Sequence, residues 1–543
     1  MGARDGHGAT DTSRGLSGTK RIYSWLTRDS VLLRQYVEWG KMEMSRTGLS
    51  DGVLGQHETW GAFIDGVWVV PEGVATYDVL EAANASVLGR VAIADDALVN
   101  AAVASARQAY ETTWRDLSPR ERAGYLRAVA ALIRDHAEEL AELCAREVGK
   151  PKRDALRVDV VSSHTNFDYY AGIADTIHGQ LIHQGPVEAH VAFEPYGVVA
   201  AILPFNWPVQ HVAKKCAPAL AAGNTVVVKP GEQAPLAILR LIELANQVLP
   251  PGVLNAVNGI GAGPALLANP RIERVTFTGS TQTGRKVMEA AAQHLTYVTL
   301  ELGGKNALVV LDDADVDAAV TVAIEGMFYN NGMACTSTSR LVVHDSLYEE
   351  FAAKFVAAAR TLVVGEPLDP STDIGPLVDR RQQERVEGYV ATTKAEGATL
   401  LFEAAIPDHV DSAGFWVAPR IFGDVTSAMT IAHEEVFGPV AALMRYSTVE
   451  EAIALVNDTE YGLTAAICTR DERRATAMAP QLEVGMVFIN QYTRRTFVGS
   501  PFGGVKGSGF GREYSAETLF EFVRAKNVRY PSGHGVMPTW PPR

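Results

Sequence analysis

Gly197-Val-Val-Ala-Ala-Ile-Leu203 runs into Pro204-Phe-Asn-Trp-Pro208, a helix-like segment follows from Val209 to Ala222, and then comes Thr225-Val-Val-Val-Lys229. Two largely apolar runs of strand length, with a helical pattern between them, leave neither strand a polar face for solvent. Strands covered on both faces are the mark of a parallel sheet built from strand–helix–strand units. The alternation continues through the shorter strand candidates Leu254-Asn-Ala-Val257 and Arg274-Val-Thr-Phe277, with helical segments over Ala237 to Val248 and Pro264 to Ala268. It resumes after Asn306 with Ala307-Leu-Val-Val-Leu311 and, much later, Val487-Phe-Ile489, so a second α/β domain is expected.

Upstream, Ala102 and Ala106, then Leu126, Val129, Ile133 and Leu140, recur at helical spacing among charged residues, and Pro151 is a stop signal. The run Leu181 to Glu194 reads as two short strands turning at Gly185-Pro186. Residues 1 to 20 are polar and expected to be disordered, whereas Ile22, Trp25, Leu26, Leu33, Tyr36 and Val37 could line one side of a helix. No apolar core with a cleavage site follows, which argues against a secretory signal.

The 543 residues allow two or three domains, and 47% hydrophobic with 21% charged residues is an ordinary globular balance. A net charge of −14 argues against a nucleic-acid partner, because phosphate binding needs a basic face. No apolar run reaches the roughly 20 residues that span a bilayer. Cys144, Cys216, Cys335 and Cys468 are far apart, and the 13 histidines form no H-E-x-x-H cluster. That pattern suits a reducing, cytoplasmic compartment and predicts no metal.

Chemistry concentrates in Phe328-Tyr-Asn-Asn-Gly-Met-Ala-Cys335-Thr-Ser-Thr-Ser-Arg340, where a thiol sits among small residues ahead of the strand-like Leu341-Val-Val-His344. A lone Cys is most often a small buried hydrophobe. Three further segments overturn that reading: Pro204-Phe-Asn-Trp-Pro208, Phe277-Thr-Gly-Ser280 leading to Gly284, and Glu301-Leu-Gly-Gly-Lys-Asn306. Together with Cys335, in this order and spacing, they resemble the aldehyde dehydrogenase superfamily over roughly residues 60 to 530.

The resemblance implies a fold of two parallel-sheet α/β domains plus a small β oligomerisation element. Residues 59–178 and 198–302 would form the NAD-binding domain, and 303–514 the catalytic domain. The oligomerisation element would comprise 179–197 and 515–531, with 532–543 as a tail. Residues 1–58 would be an N-terminal extension, mobile or translated from a start placed too early, with Met42 and Met44 as alternative starts. The expected assembly is a homodimer or homotetramer.

The resemblance also implies residue roles. Cys335 matches the nucleophile, Asn206 the oxyanion donor, and Glu301 the base that activates the hydrolytic water. Lys215 and Glu513 match a pair suspected of proton relay, with an ordinary salt bridge as the open alternative. Met333 stands where most relatives carry Gln, so packing beside Cys335 is expected to differ.

Gly259-Ile-Gly-Ala-Gly263 and Gly507-Ser-Gly-Phe-Gly511 both fail G-x-G-x-x-G. Gly279, Ser280 and Gly284, after a strand and opening a helix, suit a pyrophosphate better. Ile202, Pro204 and Leu302 are expected beside the cofactor, Lys229 and Glu232 at the adenine-side ribose, and Glu435 and Phe437 at the nicotinamide half. A carboxylate at Glu232 would repel a 2′-phosphate, which favours NAD over NADP. Trp207, Tyr329, Phe497 and Phe502 should border the aldehyde tunnel and suggest an apolar or aromatic aldehyde, while Arg494 and Arg495 could clamp a carboxylate or face solvent. An NADP-dependent or semialdehyde-specific relative, a CoA-acylating one, and a non-catalytic structural member are the alternatives.

Overall fold

The computed structural model describes residues 54–492, 497–537 and 539. The chain divides into a unit Met1–Gln56, of which the turn Leu54–Gln56 is described, and a unit His57–Arg543 that carries everything below. The helix expected over 21 to 44, and Arg494 and Arg495, lie outside the described residues.

Two sheets organise the larger unit. In the first, Tyr297–Glu301, Arg274–Thr278, Val198–Ile202, Thr225–Lys229 and Leu254–Ala256 lie side by side and parallel. Gly509–Phe510 closes one edge antiparallel to Tyr297–Glu301, and the hairpin Ala62–Ile64 and Val67–Val69 closes the other. The second sheet runs Thr399–Glu403, Arg420–Gly423, Val440–Tyr446, Arg340–His344, Ala307–Val310, Thr464–Cys468, Met486–Ile489, with only its first pair antiparallel.

Side chains show why these strands are apolar throughout. Ala307 and Val309 enter one buried cluster with Val342, Ala442 and Ile467, while Leu308 and Val310 enter another with Leu341, Leu443 and Phe351. Successive side chains point to opposite faces, and here both faces meet helices. In the first sheet Val198, Ala200 and Ile202 pack with Ala102, Val103 and Ala106 of the helix Asp96–Ala109, the face read from their spacing.

The helix Ala137–Val148 ends at Gly149, whose φ of 87° is left-handed and whose missing side chain lets Pro376 O approach. Gln180–Gln184 and Val187–Pro195 form the expected hairpin, and Val523–Pro531 pairs antiparallel with its second strand. This three-stranded ribbon is largely exposed, with Leu181, Ile182 and Tyr530 open to solvent. Among the described residues no helix is long and apolar enough to cross a membrane.

Candidate active site

The loop around Cys335 is shaped by the residues that precede it. After the helix Val316–Phe328, Asn330, Asn331 and Gly332 take φ values of 53°, 56° and 72°. Asn and Gly tolerate this left-handed backbone better than other residues, so the Asn-Asn-Gly run is the sequence that permits the bend. Asn331 then staples it, donating to Gly149 O and Pro376 O at 3.0 and 2.8 Å and accepting from Gly375 N–H at 2.9 Å. Asn306 Nδ2 donates to Cys335 O at 2.8 Å, and a Cβ on Gly304 would lie 2.6 Å from that same oxygen. Gly304 is therefore required by close backbone approach, and Gly303 by the Glu435 carboxylate packed against it.

Cys335 is partly exposed, and its backbone N–H has no acceptor among the described residues. Burial pushes its thiol up to about 12, opposed chiefly by the Lys214 ammonium. Asn206 sits past the strand Val198–Ile202, where Pro208 opens the buried helix Pro208–Ala221. Its Nδ2 donates to Met333 O at 3.0 Å, and its Oδ1 lies 3.1 Å from His211 Nε2. Because Met333 O can only accept, the amide orientation is determined, and His211 must donate from Nε2. Among the described residues, one N–H of Asn206 remains uncommitted. Burial and the neighbouring lysines hold His211 well below its ordinary range, so the ring is neutral.

Glu301 ends the strand Tyr297–Glu301, is buried, and neither carboxylate oxygen has a hydrogen-bond partner among the described residues. Burial first, then Glu513, raises it well above the usual carboxylate range. Lys215 and Glu513, far apart in sequence, meet at 2.6 Å, and Lys215 also donates to Thr276 at 3.0 Å. Lys214 reaches the other oxygen of Glu513 at 2.6 Å. The paired lysines hold Glu513 below the carboxylate range despite its burial, and desolvation lowers Lys215.

A cavity with about 130 Å³ of free space opens on Cys335, bordered by Trp207, Tyr329, Phe497 and Phe502, the four expected aromatics. Gln210, His211 and Lys214 also border it, and none of these three was singled out from the sequence. A signal was there. Gln210, His211, Lys214 and Lys215 repeat at i and i+4 along a fully buried helix, a polar stripe where an apolar one belongs.

Most of the residues expected at a dinucleotide lie at or just beyond the ends of the first-sheet strands, whereas Glu435 and Phe437 come from the loop ahead of the second-sheet strand Val440–Tyr446. Ser280 caps the helix Thr281–Ala292, accepting from Thr283 N–H, and leaves the remaining first-turn N–H groups open to an anion. A Cβ on Gly279 would meet the Phe277 ring at 2.5 Å, and one on Gly284 would meet Leu302 at 2.6 Å, so the turn is as narrow as its chain allows. Lys229 ends the strand Thr225–Lys229, is ion-paired with Glu232 just past it, and accepts at its carbonyl from Leu203 N–H at 2.9 Å, which ties it to the turn from Ile202 to Pro204. Glu435 accepts from Gly304 N–H at 3.1 Å and is pushed up to about 7 by burial. Phe437 holds a φ of 60°, pinned by Gln382 on its carbonyl at 2.8 Å. A helix N-terminus for phosphates, a carboxylate for a ribose diol and a second carboxylate nearer Cys335 fit a dinucleotide. Gly509, from one of the failed glycine patterns, instead abuts Leu300 O in the sheet.

The aldehyde dehydrogenase family model matches residues 68–528. The chain is 44% identical over 445 residues to the aldehyde dehydrogenase citD of Monascus ruber, covering 81% of this chain and 88% of that one. It is 38% identical over 480 residues to the chloroplastic betaine aldehyde dehydrogenase of Beta vulgaris, covering 86% and 95%. Among solved structures, the NAD⁺ complex of an aldehyde dehydrogenase from Bacillus cereus superposes with a TM-score of 0.86 at 37% identity, covering 90% of this chain and all of that one.

Proposed function

The chain belongs to the aldehyde dehydrogenase family, and on that premise we propose that it is a hydrolytic enzyme that oxidises an apolar or aromatic aldehyde to the acid with NAD. The observation that carries this reading is an aromatic-lined cavity that opens on Cys335, with the Asn206 amide tied to the Cys335 loop at Met333 O and the unpartnered Glu301 close enough to act on the Cys335 thiol.

The Cys335 thiol loses its proton to water in the cavity, the anion being favoured by the Lys214 ammonium, and the thiolate adds to the carbonyl carbon, forming a C–S bond and placing the carbonyl electron pair on oxygen. Asn206 Nδ2 and the Cys335 N–H donate to that oxyanion, a contribution typically on the order of 10²–10³ in rate per donor. The nicotinamide, when bound, supplies the acceptor for the hydride that leaves the tetrahedral carbon. Glu301 takes the proton from the water that attacks the resulting thioester, and the Cys335 thiolate leaves as the acid forms. Ser280 and the first turn of Thr281–Ala292 would hold the pyrophosphate, with Gly279, Gly284, Ile202, Pro204 and Leu302 lining the slot. Lys229 and Glu232 would hold the adenine-side ribose, and Glu435 and Phe437 the nicotinamide half. Lys215 with Glu513 would carry protons away from Glu301. NADP remains the alternative cofactor.

The exposed apolar residues of the ribbon support a homo-oligomer, and four free thiols support a reducing cytoplasm. NADH formation with benzaldehyde, a long aliphatic aldehyde and a semialdehyde tests the assignment. We expect turnover highest with benzaldehyde and no CoA requirement. Absence of NADH formation with all three, or an acyl-CoA product, overturns it.

A further inference from the structure

Among the described residues bordering the Cys335 cavity, Lys214 is the only one that is charged at neutral pH, because His211 is neutral. No carboxylate borders that cavity among the described residues. The Lys214 ammonium lies 2.6 Å from Glu513 Oε2, but Lys215 lies 2.6 Å from the other oxygen of the same carboxylate. Two ammonium groups share one carboxylate, and the nearby Glu301 carboxyl, held protonated by its burial, adds no compensating charge, which leaves one positive charge in excess at the cavity wall. The other buried cation nearby is already compensated: Lys150, 3.9 Å above the Trp207 ring, pairs with Asp159 at 2.9 Å.

Part of the aromatic lining already faces the protein's own cations: Lys214 sits 5.4 Å from the Phe502 ring centre and 5.9 Å from that of Tyr514, and Lys150 covers Trp207, so three of the rings that could receive a cation are taken. Betaine aldehyde, named for several relatives, is a quaternary ammonium aldehyde. In this cavity it would meet a fixed like charge in poorly solvated surroundings, where repulsion is weakly screened.

We propose, resting on the function assigned above, that this cavity takes aldehydes whose apolar or aromatic body carries an anionic group and rejects quaternary ammonium aldehydes, with Lys214 as the residue that reads the charge. A carboxylate or phenolate at Lys214 replaces part of its contact with Glu513 by a charge-assisted hydrogen bond.

The test uses the full chain and three aldehydes of one shape: 3-carboxybenzaldehyde, benzaldehyde and 3-(trimethylammonio)benzaldehyde. We expect kcat/KM to fall in that order, with about tenfold or more between the extremes, the scale of one charge-assisted hydrogen bond. Lys214→Met should erase the order, and Lys214→Arg should keep it. Any loss common to all three substrates cancels in the ratio, so an effect of Lys214 on the thiol does not disturb the reading. Calorimetric titration with isophthalate and with benzyltrimethylammonium repeats the comparison without turnover, on variants whose melting matches the wild type. Oxidation of none of the three overturns the assigned function, and the titration alone then decides the charge preference. A wild type that favours the cation, or a Lys214→Met protein that discriminates as the wild type does, overturns the inference.

Discussion

His211→Leu should slow hydride release while leaving aldehyde binding nearly unchanged. In the wild type the Asn206 amide is held at both ends, Nδ2 on Met333 O at 3.0 Å and Oδ1 on His211 Nε2 at 3.1 Å. Leucine keeps the apolar bulk but removes the donor, leaving Oδ1 buried without a partner. That costs about 1–3 kcal/mol, and a flipped amide, which turns an oxygen toward the developing oxyanion, loses its competitor. At about 1.4 kcal/mol per decade, kcat should fall roughly 5- to 150-fold. The ceiling is the loss of the donor altogether, on the order of 10²–10³.

The assay is the single-turnover rate of NADH formation, measured in His211→Leu, Asn206→Ala and the double variant. If His211 acts through Asn206, the leucine should cost little once the amide is gone, because interacting residues are non-additive. His211→Gln, which can still donate, should recover part of the rate. The pH profile should keep its shape, because the wild-type ring is neutral throughout. Fully additive losses, or a His211→Leu protein within twofold of wild type, would refute the reasoning.

Glu301→Gln should give a burst of NADH followed by slow turnover, with the acyl group found on the Cys335 peptide by mass spectrometry. Wild-type kcat should rise with pH through the raised pKa of Glu301, and the glutamine variant should lose that limb. Its stability should gain on the wild type as pH rises above about 4.5, because the unfolded chain then ionises Glu301 while the buried carboxyl stays protonated, which pulls the wild type toward unfolding. Cys335→Ala should abolish dehydrogenation and keep NAD affinity by fluorescence titration, whereas Cys144, Cys216 and Cys468, all buried, should each tolerate Ala with a loss of about 1 kcal/mol in urea unfolding. Glu232→Gln should narrow the preference for NAD over NADP in kcat/KM, and a wild type that already favours NADP would remove its ribose assignment.

The parts of this molecule that could be read from the sequence are those in which one chemical requirement leaves one residue type. Val198–Ile202 and Ala307–Val310 had to be apolar on both faces, so their strands showed. Gly303 and Gly304 had to lack side chains because Glu435 and Cys335 O press against them. Lys215 and Glu513 carried no such local mark, since their meeting depends on a strand from residue 509 returning to the edge of the first sheet. The cavity wall was hidden for another reason. Lys214 and Lys215 are adjacent letters in one helix, and both reach the same carboxylate, yet only Lys214 borders the cavity beside Cys335.

Met333 reverses the lesson. As a letter it departs from the expected glutamine, and a changed packing beside Cys335 was the natural expectation. Its side chain is instead fully buried in the core beneath the second sheet, with Val342, Val386 and Val436 in the same cluster. What the site takes from position 333 is the carbonyl, which accepts from Asn206 at 3.0 Å and from Asn330 at 2.8 Å. Any residue supplies that oxygen if the preceding bend is kept. The bend depends on Asn330, Asn331 and Gly332, whose left-handed backbone few other residues accept. A substitution at 333 that fills the same apolar space should therefore leave catalysis intact, whereas Asn331→Leu should disturb the Asn206 amide through a carbonyl two residues away.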